Sequence, residues 1–341
     1  MSVPDKCPHS FQDLLDAKKF TDKQINTDYK NLVNFDAIKN ENKRCGNNIL
    51  YQFQFPNLLN CRREGKEIIE EIWKDPKKLE TLWKEAIKRK RNPKAVFPSA
   101  VDMWEGMRAN KGPIVFFKSS TAKYLYKKYG ATSVLDFTAG WGGRLLGASS
   151  LGIKYTGIDT NTNMSKGYEE MINYFELDTS KIKMIWESCL EVDYSKLDYD
   201  FILTSPPYIN MELYEEMTPF ENKDKFYEMF LIPTMIKSFK YLKDGGRMAI
   251  NISGAMYKEL TKKHGYPECD EFEDLKQSIG KKGKSAMDYI YIWVKGPKME
   301  VITDDDEVFK CEEEEAEIIV DLKNVIEKLE NMLEKAEELL N

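Results

Sequence analysis

Apolar residues between positions 111 and 300 of this 341-residue chain fall into two alternating patterns. Short apolar runs that end in polar or glycine-rich turns are typical of buried strands, and stretches with apolar residues three and four apart indicate helices. Because the two patterns alternate, right-handed crossovers are expected to place the strands side by side in one parallel sheet. The strands predicted in this way are 133–136, 154–158, 183–186, 199–204, 248–252 and 289–295.

Residues 1–110 show helical patterns instead. Ile68, Ile69 and Ile72 form one stripe, Pro76 suits the first turn of a helix, and apolar residues keep helical spacing from there to about Arg91. We interpret this part as a mainly helical N-terminal region, a possible place for substrate recognition. The end of its second helix is basic, which suits either a phosphate backbone or a solvated face near a helix C-terminus: Lys84, Lys88, Arg89, Lys90, Arg91 and Lys94.

Residues 301–341 form a third part, an acidic linker followed by a heptad-patterned helix. Its apolar positions alternate steps of four and three, which is typical of a coiled coil. The broad apolar face of residues 318–340 predicts self-association, docking of a partner helix, or packing back on the body of the protein. The seam consists of Ile318, Leu322, Val325, Leu329, Met332, Ala336 and Leu339.

The net charge is unevenly distributed along the chain. The net charge is −6, but residues 304–341 hold 15 acidic and 4 basic residues, so the other 303 residues carry a net +5. The body is therefore mildly basic, and the overall acidity does not exclude a phosphate-bearing partner.

Composition predicts a globular protein without a membrane span or a metal site. Hydrophobic residues make up 42% of the chain, yet no apolar run is long enough to cross a bilayer and the N-terminus lacks a signal-peptide core. The six cysteines are far apart without a C-x-x-C pair, which favours reduced thiols over disulfides or zinc. We expect a cytoplasmic location in a reducing compartment, with a nuclear one left open.

The first candidate site is a glycine-rich loop that follows the strand 133–136. Gly140 and Gly142 let the backbone approach a ligand closely, and Asp136 ends the strand before them. The pattern has Leu145 where a dinucleotide fingerprint needs its third glycine, so NAD is disfavoured. Asp159, at the end of the next strand, is suited to accept both ribose hydroxyl hydrogens of a nucleoside cofactor.

The second candidate site is the bend Ser205-Pro206-Pro207-Tyr208 after the strand 199–204. Two prolines cannot continue a strand ladder, so the backbone leaves the sheet here as a stiff elbow. This set suits a planar group with an exocyclic amine. The Ser205 hydroxyl and the Pro206 carbonyl can accept the two amine hydrogens, and Tyr208 can stack on the ring. A proline-stiffened turn without any chemistry is the alternative.

With these elements in this order, residues 115–295 resemble the S-adenosylmethionine-dependent amino-methyltransferases of nucleic acid, the N4-cytosine and N6-adenine DNA methyltransferases, whose signature is (Asp/Asn/Ser)-Pro-Pro-(Tyr/Phe/Trp). The resemblance implies a seven-stranded Rossmann-like methyltransferase fold over residues 111–300, with S-adenosyl-L-methionine as cofactor. Thr138 stands where the family usually has Phe, and either Ser188 or Glu187 stands where it usually has Asp. The implied catalytic residues are Ser205, Pro206, Pro207 and Tyr208, and the implied cofactor-binding residues are Lys118, Ser119, Thr121, Asp136, Thr138, Gly140, Gly142, Asp159 and Ser188.

The function implied is methyl transfer to cytosine N4 or adenine N6 in DNA. The base has to be flipped or unpaired to reach the elbow, because its amine is otherwise paired in the stack. RNA as the substrate is an alternative with the same chemistry. A catalytically silent subunit of a methyltransferase assembly is another, although such a subunit has no need of Asp136, Gly140, Gly142 and Asp159.

Overall fold

A seven-stranded sheet forms the centre of the protein, with strand order β3-β2-β1-β4-β5-β7-β6. In this computed structural model, the residues described are 6–39, 45–61, 67–90, 92, 94–111, 116–207, 220–274 and 288–296. The strands are β1 (Ser133–Asp136), β2 (Lys154–Ile158), β3 (Ile182–Ile185), β4 (Phe201–Thr204), β5 (Arg247–Ser253), β6 (Glu271–Asp274) and β7 (Asp288–Val294).

The sheet is parallel from β3 to β5 and antiparallel at β7. Strand β1 pairs with β2 on one side and with β4 on the other, so the chain winds outward in both directions from the gap between β1 and β4. Ligands of open α/β sheets bind at such a reversal, outside the carboxyl ends of the strands. The predicted doubly wound, mostly parallel fold with a helical N-terminal region is confirmed.

Strand β6 is the one strand of this sheet that the apolar pattern did not predict. Its sequence is acidic, and Phe272 is 64% exposed while Glu273 on the opposite face is covered. The carboxylate of Glu273 accepts hydrogen bonds from the Tyr129 hydroxyl and from the Lys128 ammonium of a neighbouring helix. In β6 the apolar residue is therefore exposed and the charged residue is covered, which is the reverse of the usual strand pattern. Polar partners on α7 and directly after it take the place of apolar contacts.

Helices cover both faces of the sheet and build the N-terminal region. A π-helical stretch, Tyr227–Leu231, joins α10 to α11, and a second, Glu259–Lys263, extends α12. The helices are α1 (Phe11–Asp16), α2 (Asp22–Asn34), α3 (Asn47–Asn60), α4 (Ile69–Lys74), α5 (Pro76–Arg89), α6 (Ala100–Lys111), α7 (Ser119–Lys128), α8 (Gly143–Ser149), α9 (Ser165–Tyr174), α10 (Lys223–Phe226), α11 (Ile232–Tyr241) and α12 (Gly254–Lys258).

The N-terminal helices share a hydrophobic core with one face of the sheet. That core includes Leu32 of α2 and Leu50 of α3 together with Val134 of β1 and Leu203 of β4. At Gly167 of α9 a methyl group would lie 2.5 Å from the Phe53 carbonyl of α3, so the two helices are in backbone contact there. Domain boundaries near residues 110 and 300 stay predictions, and the predicted helix of residues 318–340 lies outside the described residues.

Lys123 connects α7, the helix that precedes β1 and the glycine loop, to the end of α2 in the N-terminal region. Its side chain is 3% exposed, and its ammonium donates to the carbonyls of Leu32 (2.8 Å), Val33 (2.8 Å) and Phe35 (3.3 Å) at the end of α2. We expect Lys123→Met to lower the free energy of unfolding by about 3–5 kcal/mol, because buried carbonyls lose a charged donor. Denaturant unfolding of the full chain measures this.

Lys127→Met is the control on the same helix. The Lys127 side chain is 46% exposed and its ammonium lies 3.6 Å from the Asp36 carboxylate. Removing such an exposed pair should cost less than about 1 kcal/mol. Equal losses of unfolding free energy in the two variants would contradict the clamping role of Lys123.

Candidate active site

The glycine loop and the Ser205-Pro206-Pro207 bend lie next to each other at the carboxyl edge of the sheet. They follow the adjacent parallel strands β1 and β4, which pair through Val134 with Phe201 and Leu135 with Ile202. The hydroxyls of Thr138 in the loop and Thr204 at the end of β4 are directly hydrogen-bonded. Both bends therefore open at the same place, as the resemblance requires.

Two left-handed glycines shape the loop. Gly140 has φ +57° and Gly142 has φ +88°, a conformation that residues with a side chain rarely adopt. The Gly140 carbonyl accepts a hydrogen bond from the Tyr168 hydroxyl of α9 (2.9 Å). A methyl group on Gly142 would lie 3.0 Å from the Met171 side chain of the same helix. The loop is thus held against α9, and its glycines are required by the backbone itself.

Asp159 closes the other side of the loop. Its carboxylate accepts hydrogen bonds from the Gly140 amide (2.7 Å) and from the Asn161 amide (2.9 Å). Burial raises the pKa of Asp159 to about 6, an effect that the two amide hydrogen bonds only partly offset. A half-buried carboxylate beside a glycine loop is suited to accept the two hydroxyl hydrogens of a ribose.

Asp136, at the end of β1, forms hydrogen bonds with other side chains of the protein. Its side chain is fully buried and accepts hydrogen bonds from Nε of Arg144 (2.6 Å) and from the Tyr155 hydroxyl (2.7 Å). Arg144 also donates to the Thr138 carbonyl, and its guanidinium lies 5.1 Å from the centre of the Phe117 ring. Burial alone would lower the pKa of Arg144, but the charge of the Asp136 carboxylate and its hydrogen bond outweigh this effect and hold the pKa above its usual range. The contact of Asp136 with a cofactor stays a prediction.

Arg144 and Tyr155, the partners of Asp136, carry no motif in the sequence that would assign them a role. Arg144 is followed by apolar residues at the start of a buried helix, and a lone cation in such a place indicates a buried partner. That partner could not be assigned, because it depends on how α8 lies against β1 and β2.

The turn before α7 lies against the start of α8. Lys118 is the N-cap of α7, and Ser119, Ser120 and Thr121 form its first turn in buried positions. A methyl group on Gly143 would lie 2.1 Å from the Phe117 carbonyl oxygen, so the two segments are in backbone contact. The predicted carboxylate-binding segment and the glycine loop are therefore neighbours.

The hydroxyls of Ser119 and Ser120 are buried and, among the described residues, have no hydrogen-bond partner. The Oγ of Ser119 faces Gly46 of the N-terminal region, where an added methyl group would lie 2.9 Å from it. The dipole of α7 favours a carboxylate at this end of the helix, and the binding of one there stays a prediction.

Ser188 lies beyond the end of β3. Its hydroxyl accepts a hydrogen bond from the Leu190 amide (3.3 Å), and the neighbouring Glu187 is exposed. Between them and β3 stands Trp186, half-buried, with its ring 5.5 Å from that of Tyr168. The assignment of Ser188 to the adenine stays a prediction, and Trp186 is an aromatic neighbour that sequence reasoning counted only as the end of a strand.

The elbow after β4 is described as far as Pro207. Pro206 is buried, whereas Ser205 and Pro207 are half-buried. The Ser205 hydroxyl donates to Oδ1 of Asn251 on the adjacent strand β5 (3.2 Å). Tyr208 lies outside the described residues, so its position against a ring stays a prediction.

The basic end of α5 contributes less free charge than its sequence indicates. Lys84 pairs with Glu80 (2.6 Å) and Lys88 with Glu85 (2.9 Å), each on the same helix. These pairs favour the interpretation as a solvated helix face.

Two further properties concern the described residues only. They contain no group of three or more His, Cys, Asp or Glu side chains arranged to hold a metal ion. None of their helices is both long enough and apolar enough to span a bilayer.

Comparison with known proteins finds similarity in fold. No protein-family model matches the chain, and no curated protein matches it in sequence. Among solved structures, TrmN from Thermus thermophilus is 17% identical over 52% of this chain, with a TM-score of 0.39. The N-methyltransferase NodS from Bradyrhizobium japonicum is 10% identical over 51% of this chain and 94% of its own, with a TM-score of 0.34.

The Thermus thermophilus 16S rRNA methyltransferase RsmC, solved with AdoMet and guanosine, is 16% identical over 54% of this chain and 44% of its own, with a TM-score of 0.34. This chain spans 49% of the length of TrmN. These likenesses identify no substrate for this chain. With a seven-stranded sheet whose penultimate position is an antiparallel β7, the chain has the Rossmann-like methyltransferase fold.

Proposed function

We propose that the protein is an S-adenosylmethionine-dependent methyltransferase that methylates the exocyclic amine of a base, cytosine N4 or adenine N6, in DNA. The observation that carries this proposal is the hydrogen bond between Thr138 and Thr204, which puts the glycine loop and the Ser205-Pro206-Pro207 bend side by side. A nucleoside cofactor and an amine can then occupy the same edge of the sheet.

The residues present fit this cofactor. No side chain projects from Gly140 or Gly142, the Asp159 carboxylate is suited to the ribose, and the N-terminus of α7 at Ser119 and Ser120 is suited to a carboxylate. Lys118, Thr121, Asp136, Thr138 and Ser188 complete the proposed cofactor-binding set. When bound, the cofactor would supply an electrophilic methyl group and leave as S-adenosylhomocysteine, and the methylated, positively charged amine would then release one proton to solvent.

The protein's own part is to position the amine. The Ser205 hydroxyl and the Pro206 carbonyl accept the two amine hydrogens, which draws the nitrogen lone pair out of conjugation with the ring. The prolines hold these acceptors in place, and Tyr208 stacks on the base. Catalysis would then come from alignment and from hydrogen bonds that strengthen as the nitrogen becomes positive.

The test is methyl transfer itself. The full chain is incubated with cofactor carrying a deuterated methyl group and either single-stranded DNA, duplex DNA or RNA, and the nucleosides are then analysed by mass spectrometry. Labelled N4-methylcytosine or N6-methyladenine from DNA is the expected product. Label found only in RNA would move the proposal to RNA, and cofactor binding without label in any base would overturn it.

The pKa of Asp159 predicts how cofactor affinity depends on pH. Only the ionised carboxylate can accept two ribose hydrogens, and its pKa in the free protein is about 6. Affinity should therefore be constant above that pH and weaken below it, by about tenfold between pH 7 and pH 5. Calorimetric titration with S-adenosylhomocysteine at both pH values measures the change.

Asp159→Asn is the matched control. Its amide oxygen can still accept from the Gly140 amide, but the side chain no longer titrates. Weaker binding with no difference between the two pH values is expected. An unchanged pH dependence in this variant would show that another group titrates.

A further inference from the structure

A buried asparagine lies beside the hydroxyl of the elbow. Asn251 is on β5 and 8% exposed, and its Oδ1 lies 3.2 Å from Oγ of Ser205. Thr204 pairs with Ile250 in the parallel register of β4 and β5, so the residues that follow them, Ser205 and Asn251, are also neighbours. Asn251 is a polar residue between Ile250 and Ile252, both fully buried, so its amide needs partners within the protein.

The direction of this hydrogen bond follows from the other end of the amide. Nδ2 of Asn251 donates to the carbonyl of Tyr289 on β7 (3.2 Å). A backbone carbonyl only accepts, so it requires the nitrogen on its side and leaves the oxygen facing Ser205. The hydroxyl of Ser205 must then be the donor to Oδ1.

This direction determines what Ser205 can offer a ligand. A serine hydroxyl has one hydrogen and two lone pairs. With the hydrogen directed at Asn251, only the lone pairs remain, and they accept from an amine but meet a carbonyl oxygen with repulsion. We propose that Asn251 is a positioning residue that makes Ser205 an obligate acceptor and so selects bases with an amino group over bases with an oxo group. This rests on the proposed function.

The methyl transfer itself is unchanged by Asn251, and no proton passes through the two hydrogen bonds that link Ser205, Asn251 and Tyr289. One amine hydrogen is shared with the Ser205 lone pair, the hydroxyl hydrogen stays on Ser205, and the proton released after transfer goes to solvent. Asn251 therefore acts only through the orientation of the hydroxyl. Its effect should disappear when the hydroxyl is removed.

A double-mutant cycle tests this dependence. The variants are Ser205→Ala, Asn251→Leu and the double variant, assayed under single turnover with labelled cofactor on whichever DNA or RNA the wild type methylates. Asn251→Leu should slow transfer by about tenfold in the wild-type background, the size expected for one lost hydrogen bond that orients an acceptor. In the Ser205→Ala background it should change the rate by less than about twofold. The same fold loss in both backgrounds would overturn the proposal.

Asn251→Asp separates this role from packing. Leu loses both contacts of the amide, whereas Asp keeps an oxygen toward the Ser205 hydroxyl. The Asp variant should transfer methyl faster than the Leu variant at matched thermal stability, with cofactor affinity close to wild type in both. Equal rates would overturn the proposal while leaving the proposed function intact. No transfer by the wild type to any base would overturn both.

Discussion

Replacing Gly143 with alanine should weaken cofactor binding and destabilise the fold. The added methyl group would lie 2.1 Å from the carbonyl oxygen and 3.2 Å from the carbonyl carbon of Phe117, and neither backbone atom can rotate away. The turn before α7 must therefore move off the start of α8. We expect a loss of at least about 3 kcal/mol of unfolding free energy, at the upper end for overpacked cores. Cofactor affinity should fall at least about tenfold, because Lys118 and the first turn of α7 move with Phe117.

Thermal unfolding and calorimetric titration with S-adenosylhomocysteine measure the two effects. Gly106→Ala is the matched control, since this glycine is in helix α6 and its nearest neighbouring atoms lie 3.8 Å or more from the added methyl group. It should leave affinity unchanged and raise stability by up to about 1 kcal/mol through helix propensity. A Gly143→Ala variant with wild-type affinity would show that the turn before α7 does not contribute to the cofactor site.

The sheet was predictable where apolar runs are buried on both sides. Strands 133–136 and 154–158 were predicted with the bounds that β1 and β2 have, because every residue of β1 is buried and the run ends in polar residues. Strand β6 was missed, since the Glu273 carboxylate faces Lys128 at the end of α7 and Tyr129 directly after it instead of an apolar core. An edge strand stabilised by polar partners leaves no period-two signal.

For the candidate site, the sequence predicted which bends lie near each other but not which side chains are in contact. The order of strands puts the glycine loop and the elbow at one edge, and this needs no knowledge of side-chain contacts. The contacts of Asp136 with Arg144 and of Ser205 with Asn251 depend on register and on how helices lie across the sheet. A shift of one residue would turn those side chains to the other face, so no local pattern could predict them.

Pro206→Ala and Tyr208→Ala should both nearly abolish methyl transfer while cofactor affinity stays close to wild type. Pro206 is buried at the elbow, where its ring fixes the backbone that carries two acceptors. An aromatic ring that stacks on a base contributes about 1–3 kcal/mol, and loss of alignment adds to this. We therefore expect the rate of the chemical step to fall by at least about a hundredfold in each variant.

Single-turnover transfer and calorimetric titration with S-adenosylhomocysteine separate the amine site from the cofactor site. Pro233→Ala, at a buried proline in the first turn of α11, is the control for proline removal and should keep full activity. Tyr208→Phe should keep most of the rate, because the ring that stacks is retained. The glycine loop, Asp159 and the start of α7 are unchanged in all four variants, so none of them should lose cofactor binding. If Pro206→Ala or Tyr208→Ala lost cofactor affinity as strongly as activity, the division into two adjacent sites would be wrong.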